Sequence, residues 1–284
     1  MLSKFDYVKP ASLNEALSYL SQNDGTRILA GGTDLLVVLR RNMENIQHIL
    51  DIKGVPETKK IEYTPDKGLF IGASITANQV GHSREVIEKY PAIGHGVEFL
   101  ASYQLRNRAT LVGNICNASP GGDMSAPLLI YDAILHIAGA KGNREVSIKS
   151  FFTGVKKTVL KRDEIVIGLT IPEVEANDRS IYLKQARLKG HDLATVGVAI
   201  RVDSQNKVYI AMAAVAPTPI RLEALEAEIN SRGLSQETIA WASEQVHNHI
   251  KPISYIRSSA EYRLHIASVF VKQGLLKLMD KGVN

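Results

Sequence analysis

Two glycine-containing segments hold most of the residues whose types and spacing could bind a ligand. The first, AGGTD (Ala30–Asp34), has paired glycines, which let a bound group approach the backbone because they have no Cβ. Successive N–H groups in such a turn form an anion-binding concavity, and Thr33 adds a hydroxyl donor. The same pattern is typical of a plain strand-to-helix turn in which Asp34 caps the helix. It matches neither the phosphate loop that closes on Gly-Lys-Ser/Thr nor the G-x-G-x-x-G dinucleotide pattern. We call Ala30–Asp34 the first glycine segment.

A longer stretch, Ala109–Pro127, reads ATLVGNICNASPGGDMSAP and consists largely of small and polar residues. We predict a strand that ends at Gly113 and Asn114, then a turn-rich passage, then a helix that begins near Ser125. Long irregular connections are usually functional, and their Asn, Ser and Thr side chains can bond a ribitol hydroxyl or a pyrophosphate oxygen. Asp123 suits a hydroxyl, because it would repel a phosphate. A purely structural surface loop stays open as the alternative. We call this stretch the second glycine segment.

Helix and strand signals around these segments predict mixed α and β structure. Ser12 and Glu15 have capping-box spacing, which predicts a helix that runs to about Leu20. A short strand over Arg27–Ala30 leads into a helix over Asp34–Arg40. Further strands are predicted over His48–Ile52, Leu69–Ala73, Ile134–Ile137, Glu145–Ile148, Ile165–Ile171, Ser180–Gln185, Ala194–Val202 and Val208–Val215, and further helices from Thr76, from Pro91 to about Ala101, over Ser235–His247 and over Ser259–Met279.

Breaks in the pattern divide the chain into three segments. Gly54 and Pro56 end the first, and the polar run EVEANDR is typical of a linker before the third. We predict boundaries at residues 1–57, 58–174 and 178–284. In the third segment strands precede helices, which favours a separate α+β domain. Its last helix carries an apolar stripe at Leu264, Ala267, Val271, Leu275 and Leu278.

Composition, charge and cysteine content exclude several classes of protein. The 284 residues are 45% hydrophobic and 22% charged, which is ordinary for a globular protein with a core. The net charge of +5 is dispersed, and no basic run with interleaved aromatic residues points to nucleic acid. The single cysteine, Cys116, excludes an internal disulfide and a cysteine-bound metal cluster. With no signal peptide and no apolar run of membrane-spanning length, we expect a cytoplasmic protein.

The two glycine segments together resemble the motifs of one protein family. AGGTDLL (Ala30–Leu36) and RNRATLVGN (Arg106–Asn114) are similar to two loops of the flavin-binding subunit in the xanthine dehydrogenase and carbon monoxide dehydrogenase family of molybdenum hydroxylases. The pattern from Phe5 to Ala16 and the stretch SAEYRLHIA near the C-terminus resemble that family too, in the same order. One departure is Val112, where the family has glycine, so we expect a looser or unused backbone approach there.

The resemblance implies an α+β fold of the vanillyl-alcohol oxidase (PCMH) type, with two lobes that hold FAD between them and a small α+β C-terminal domain. Both glycine segments would contact the FAD pyrophosphate, and Asp123 would bind a cofactor hydroxyl. The backbone at Val166 would lie near the adenine, while Lys184 and Leu193 would lie beside the flavin ring. By position in the motifs, the implied cofactor-binding residues are Arg27, Ile28, Leu29, Ala30, Gly31, Gly32, Thr33, Asp34, Leu35, Thr110, Gly113, Asn114, Asp123, Val166, Lys184 and Leu193.

Plainer structural roles stay open for several of these residues. Lys184 alternates with apolar neighbours and could be a solvated strand residue, Leu193 could belong to the core, and Asp192 could be a turn residue. The sequence contains no pattern for a nucleophile triad, an acid–base pair or a metal cluster. We therefore predict no catalytic and no metal-binding residue in this chain.

The resemblance implies an oxidoreductase subunit that transfers electrons. In that family a large subunit carries the molybdenum cofactor, a small subunit carries two [2Fe–2S] clusters, and electrons pass through FAD to an acceptor such as NAD+. The Thr33–Asp34 pair favours the xanthine or nicotinate dehydrogenase type over the His-Ser form common in carbon monoxide dehydrogenases. A subunit of a carbon monoxide or aldehyde dehydrogenase stays open, as does an assembly module that has lost FAD. We find no pattern for a UDP-N-acetylenolpyruvoylglucosamine reductase of the same fold.

Overall fold

The computed structural model describes residues 4–41, 43–188 and 192–280 of the chain. Its β-strands in these ranges are β1 Asp6–Val8, β2 Thr26–Leu29, β3 His48–Asp51, β4 Ile61–Thr64, β5 Gly68–Gly72, β6 Ile134–Gly139, β7 Gly142–Ser147, β8 Phe152–Gly154, β9 Lys157–Thr158, β10 Glu164–Ile171, β11 Arg179–Gln185, β12 Val196–Val202, β13 Val208–Ala213 and β14 Ile220–Arg221. Its α-helices are α1 Leu13–Gln22, α2 Leu35–Arg40, α3 Ala77–Gly81, α4 Arg84–Lys89, α5 Pro91–Phe99, α6 Tyr103–Arg106, α7 Leu111–Cys116, α8 Ser125–Ile130, α9 Ile148–Phe151, α10 Glu223–Arg232, α11 Gln236–Gln245 and α12 Ala260–Asp280. Short 3-10 helices cover Ile52–Gly54, Pro56–Lys59 and Val246–His249.

The strands form three main sheets that follow one another along the chain. The first is parallel, in the order β1-β3-β2, and helices α1 and α2 connect its strands. The second is antiparallel, in the order β4-β5-β10-β6-β7. The third is an antiparallel meander, β11 to β14, followed by helices α10 to α12. A small β8–β9 hairpin precedes β10. This mixture of helix and strand confirms the predicted α+β class.

Hydrogen bonds from capping side chains stabilise the predicted starts of α1 and α3. The Ser12 hydroxyl accepts from the Glu15 N–H at 3.2 Å, while the Glu15 carboxylate accepts from the Ala11 N–H at 2.8 Å. At α3 the capping box is complete, because Thr76 and Gln79 each accept from the backbone N–H of the other. The predicted helices therefore begin where side chains satisfy the free N–H groups of the first turn.

One predicted strand was wrong, and one helix was absent from the predictions. The run before Gly113 and Asn114 is helix α7, not a strand, because Leu111, Val112 and Ile115 are buried at helical spacing and Thr110 caps the first turn. The irregular part of the second glycine segment is therefore much shorter than predicted. Helix α10 was missed, although its sequence EALEAEI is rich in strong helix formers.

The long helix α12 packs its predicted apolar stripe against the third sheet. Ala267, Val271, Leu275 and Leu278 are buried, and Leu264 is partly buried. A Cβ added at Gly274, within this face, would lie 2.6 Å from Ile200 Cδ1, so the glycine lets the helix lie close to β12. The sheet and helices α10 to α12 thus enclose a core of their own.

A larger core connects all three sheets. Its buried residues run from Ala16 in α1 to Ala199 and Ala211 in β12 and β13, and they include Tyr182 of β11. Apolar packing continues across residue 57 and across residues 174–178. The division of the chain into three domains at these points therefore stays a prediction. Among the described residues, none of the helices combines the length and apolar character that crossing a membrane requires.

One buried hydroxyl joins the third sheet to the helices of the second segment. Ser180 Oγ in β11 accepts from the Ala92 N–H of α5 at 3.0 Å and is hydrogen-bonded to the Tyr131 hydroxyl at 2.6 Å. Ser180 is 5% exposed, so water cannot readily replace these bonds.

We expect Ser180→Ala to lower the free energy of unfolding by about 1–3 kcal/mol, because it removes an acceptor of the buried Ala92 N–H and the hydrogen-bond partner of the buried Tyr131 hydroxyl. Urea denaturation measures the loss. Ser231→Ala is the matched control, since that hydroxyl is exposed and donates to the Glu228 carbonyl of its own helix. The control should change the free energy of unfolding by less than about 0.5 kcal/mol. Equal small effects from both variants would contradict the joining role of Ser180.

Candidate functional site

The first glycine segment connects the end of β2 to the start of α2. Gly32 has φ +80°, in the left-handed region that favours glycine, and its carbonyl accepts from the Leu36 N–H at 3.0 Å. Asp34 occupies the N-cap position, but its side chain makes no capping bond. The plain alternative, in which the Asp34 carboxylate caps α2, is therefore not what the structure shows.

A row of backbone donors characterises this segment. Within the described part of the chain, the N–H groups of residues 31–35 donate to no backbone or side-chain acceptor. Five successive N–H groups of this kind, the first two on glycines, give the segment partial positive charge. The arrangement suits an anion that several N–H groups can bond at once.

The two glycine segments are in direct contact. A Cβ added at Gly31 would lie 2.2 Å from the carbonyl oxygen of Arg108 and 2.9 Å from Ala109 Cα. The Ala109 carbonyl in turn accepts from the Ala77 N–H at the start of α3, at 2.8 Å. The structure therefore brings together the two segments that the sequence analysis paired, and the contact excludes any side chain at position 31.

Helix α7 and the turn after it shape the second glycine segment. The Thr110 hydroxyl caps α7 by accepting from the Gly113 N–H at 2.9 Å. Asn114 Oδ1 accepts from the Met124 N–H at 3.3 Å, while its Nδ2 group makes no hydrogen bond among the described residues. Val112 is 2% exposed and belongs to the apolar core, so the valine that departs from the family pattern serves packing.

A buried ion pair attaches the third sheet to this segment. Lys184 Nζ lies 2.9 Å from Asp123 Oδ2, and the two side chains are 2% and 5% exposed. The Tyr182 hydroxyl donates to the other carboxylate oxygen at 3.1 Å, and Lys184 Nζ also donates to the Phe99 carbonyl at 3.0 Å. Lys184 is thus no solvated strand residue. A second link is the Ala214 N–H, which donates to the Pro120 carbonyl at 2.7 Å.

Burial dominates the electrostatics of this pair. It raises the pKa of Asp123 to about 6, although the Lys184 ammonium and the Tyr182 hydroxyl both favour the ionised carboxylate. A carboxylate has about four lone-pair sites on its two oxygens, so Asp123 keeps acceptor capacity after binding both neighbours.

The remaining predicted residues lie on separate elements. Val166 is buried in β10, next to a β-bulge between residues 166 and 168, and helix α7 packs on that strand. Leu193 is 41% exposed, so the alternative that placed it in the core is wrong. Asp192 accepts from the Leu193 N–H at 2.9 Å and pairs with Arg187, as expected of a turn residue. Residues 189–191, between Arg187 and Asp192, lie outside the described part of the chain.

The sequence analysis missed two residues that support the site. Lys53 Nζ donates to the Ala30 carbonyl at 2.9 Å and pairs with the buried Asp51 at 2.7 Å, which fixes the start of the first glycine segment. No sequence pattern pointed to Lys53. Tyr182 was recoverable, because strand alternation places it on the same face as Lys184.

Two family models match the chain. The family described as the FAD binding domain in molybdopterin dehydrogenase matches residues 3–174, and the CO dehydrogenase flavoprotein C-terminal domain matches residues 181–278.

Curated proteins match over almost the whole length. The putative xanthine dehydrogenase FAD-binding subunit XdhB of Escherichia coli is 34% identical over 94% of this chain and 93% of its own. The glyceraldehyde dehydrogenase medium chain of Sulfolobus acidocaldarius is 30% identical over 94% of this chain and 95% of its own.

Solved structures match as well. A chain of carbon monoxide dehydrogenase from Hydrogenophaga pseudoflava superposes with a TM-score of 0.93 at 29% identity and covers 99% of both chains. A chain of quinoline 2-oxidoreductase from Pseudomonas putida 86 gives 0.92 at 26% identity and covers 100% of both. These likenesses confirm both the recognised family and the fold expected from it.

We expect Gly31→Ala to lower the free energy of unfolding by about 1–3 kcal/mol, because the new Cβ pushes the two glycine segments apart. Urea denaturation measures the change. Gly94→Ala in α5 is the control, since its Cβ would meet only Val86 Cγ1, at an ordinary 3.9 Å. If both variants keep the stability of the original chain, the close contact at Gly31 is not a constraint.

We expect Lys184→Met to cost about 3–5 kcal/mol at pH 7, because it leaves the Asp123 carboxylate buried without its cation. The folded-state pKa of Asp123 is already raised above its unfolded value of 3.8 and rises further in the variant, so protonation relieves the buried charge. The stability difference between variant and original chain should therefore narrow as pH falls from 7 to about 6 and level off below, where Asp123 becomes protonated in both folded proteins. A loss that stays constant over this range in denaturant titrations would refute the assignment to Asp123.

Proposed function

Because the chain belongs to the family of FAD-binding subunits of molybdenum hydroxylases, we propose that it is the electron-transfer flavoprotein subunit of such a complex. In this proposal it takes electrons from [2Fe–2S] clusters of a small partner subunit and passes them to NAD+ or another acceptor. The molybdenum cofactor belongs to a large partner subunit. The observation that carries the proposal is the row of five unbonded N–H groups at the contact between the two glycine segments.

The residues present fit the cofactor. The N–H groups of residues 31–35 and the Thr33 hydroxyl would bond the pyrophosphate, and Asn114 Nδ2 would approach from the second glycine segment. Asp123 has acceptor capacity left for a cofactor hydroxyl. We propose the full set as Arg27, Ile28, Leu29, Ala30, Gly31, Gly32, Thr33, Asp34, Leu35, Thr110, Gly113, Asn114, Asp123, Val166, Lys184 and Leu193.

The chain's own part is to bind and orient. FAD, when bound, supplies the redox chemistry. Asp123 and the Phe99 carbonyl both accept hydrogen bonds from the Lys184 ammonium, and these bonds orient it. The exposed Leu193 offers an apolar surface beside the third sheet. These contacts position a charged group and an apolar group at the proposed site.

We propose the xanthine or nicotinate dehydrogenase type for the complex. The Thr33–Asp34 pair of the first glycine segment supports it, as does the relative from Escherichia coli named for xanthine dehydrogenase. The relatives named for carbon monoxide and glyceraldehyde dehydrogenases support the alternative type. The complex copurified with its partner subunits is assayed with xanthine, nicotinate, an aldehyde and carbon monoxide, and the substrate it oxidises distinguishes the two types of complex. The same assay tests NAD+ as the electron acceptor.

We expect the purified full-length chain to be yellow, with the absorbance bands of oxidised flavin and one FAD per chain. Acid precipitation followed by chromatography identifies the released flavin. If the protein is colourless as isolated, incubation with FAD and gel filtration should restore one equivalent. A chain that takes up no FAD in either form would refute the proposed function and favour an assembly module.

A further inference from the structure

The β8–β9 hairpin brings a third segment to the two glycine segments. At its turn, the Lys156 N–H donates to the Ala118 carbonyl at 3.0 Å, and Lys156 Nζ donates to Asn117 Oδ1 at 2.7 Å. The backbone of Lys156 has φ +58°, which few residues other than glycine adopt. A backbone bond and a side-chain bond therefore fix this lysine on the turn-rich part of the second glycine segment.

The same lysine is electrostatically coupled to the first glycine segment. Partial burial lowers the pKa of Lys156, and the negative charge of Asp34 opposes that shift. Since such an interaction weakens with distance, the ammonium of Lys156 lies near enough to Asp34 to be affected by its carboxylate. The hairpin thus places one positive charge on the second glycine segment, where it interacts electrostatically with Asp34 of the first.

Other lysines at the site are already neutralised. Lys53 pairs with Asp51 at 2.7 Å, and Lys184 pairs with Asp123 at 2.9 Å. Lys156, in contrast, makes no ion pair within 4 Å among the residues that the structure describes. Its charge is therefore available to a ligand bound at the second glycine segment.

We propose that Lys156 binds the diphosphate of FAD and supplies the full positive charge that the N–H groups of the first glycine segment do not provide. This inference rests on the proposed function. Backbone N–H groups contribute only partial charges, whereas an ammonium adds a charge-assisted hydrogen bond to a phosphate oxygen. Lys156 has three N–H donors, so it can keep its bond to Asn117 while it binds the phosphate.

The test compares flavin affinities of the full-length chain, prepared without flavin, by titration monitored through flavin fluorescence. The variants are Lys156→Met, Lys156→Arg and Lys157→Met, the last altering the exposed neighbour on β9. Lys156→Met keeps the backbone bond to Ala118 and should keep the thermal unfolding midpoint of the flavin-free chain. We expect it to weaken FAD binding by at least about tenfold, the size of one charged hydrogen bond, and to reduce the salt dependence of binding.

Riboflavin, which lacks phosphate, separates a charge effect from a structural one. Lys156→Met should leave riboflavin binding unchanged, Lys156→Arg should retain most FAD affinity, and Lys157→Met should behave as the original chain. Equal FAD affinity in Lys156→Met and the original chain overturns the inference and leaves the proposed function standing. Equal losses for FAD and riboflavin also overturn it. An original chain that does not bind FAD overturns the proposed function itself.

Discussion

At Gly31 the backbone of the first glycine segment lies against the carbonyl of Arg108, and no Cβ fits between them. This contact fixes the distance between the parallel sheet and the helices of residues 58–174, at the point where the two glycine segments meet. The unbonded N–H groups of residues 31–35 begin at this contact on the first segment, and the capped helix α7 begins three residues after Arg108 on the second. Because packed interiors do not deform freely, widening this junction would displace the N–H groups that adjoin Gly31.

A buried ion pair connects the third sheet to the same junction. Lys184 and Asp123 are almost fully buried, and removing two charges from water costs several kcal/mol each, so their pairing is a weak source of stability. We infer that the pair serves to position these elements, since the Lys184 ammonium of β11 contacts both the second glycine segment and the end of α5. Burial raises the pKa of Asp123, which shows that the surroundings oppose its charge.

Much of the local structure was predictable because it depends on neighbours in the sequence. Alternation identified the long strands, and hydroxyl residues spaced three positions before Glu or Gln identified the starts of α1 and α3. Helix α7 was not predictable in this way. Its residues Leu111, Val112 and Ile115 suit a strand by type, and only burial against β10 and the Thr110 cap select the helix. Helix α10, in contrast, is predictable from its run of strong helix formers.

The sequence by itself determined the family, the α+β class and the pairing of the two glycine segments, because motifs and periodicity are local properties. Only the tertiary structure decided that Gly31 lies against Arg108, that Asp123 binds Lys184, and that Lys53 and Lys156 reach the site from separate elements. These contacts join residues 23 to 77 positions apart in the chain. Such distances leave no periodic signal in the sequence, since they depend on how the sheets pack against one another.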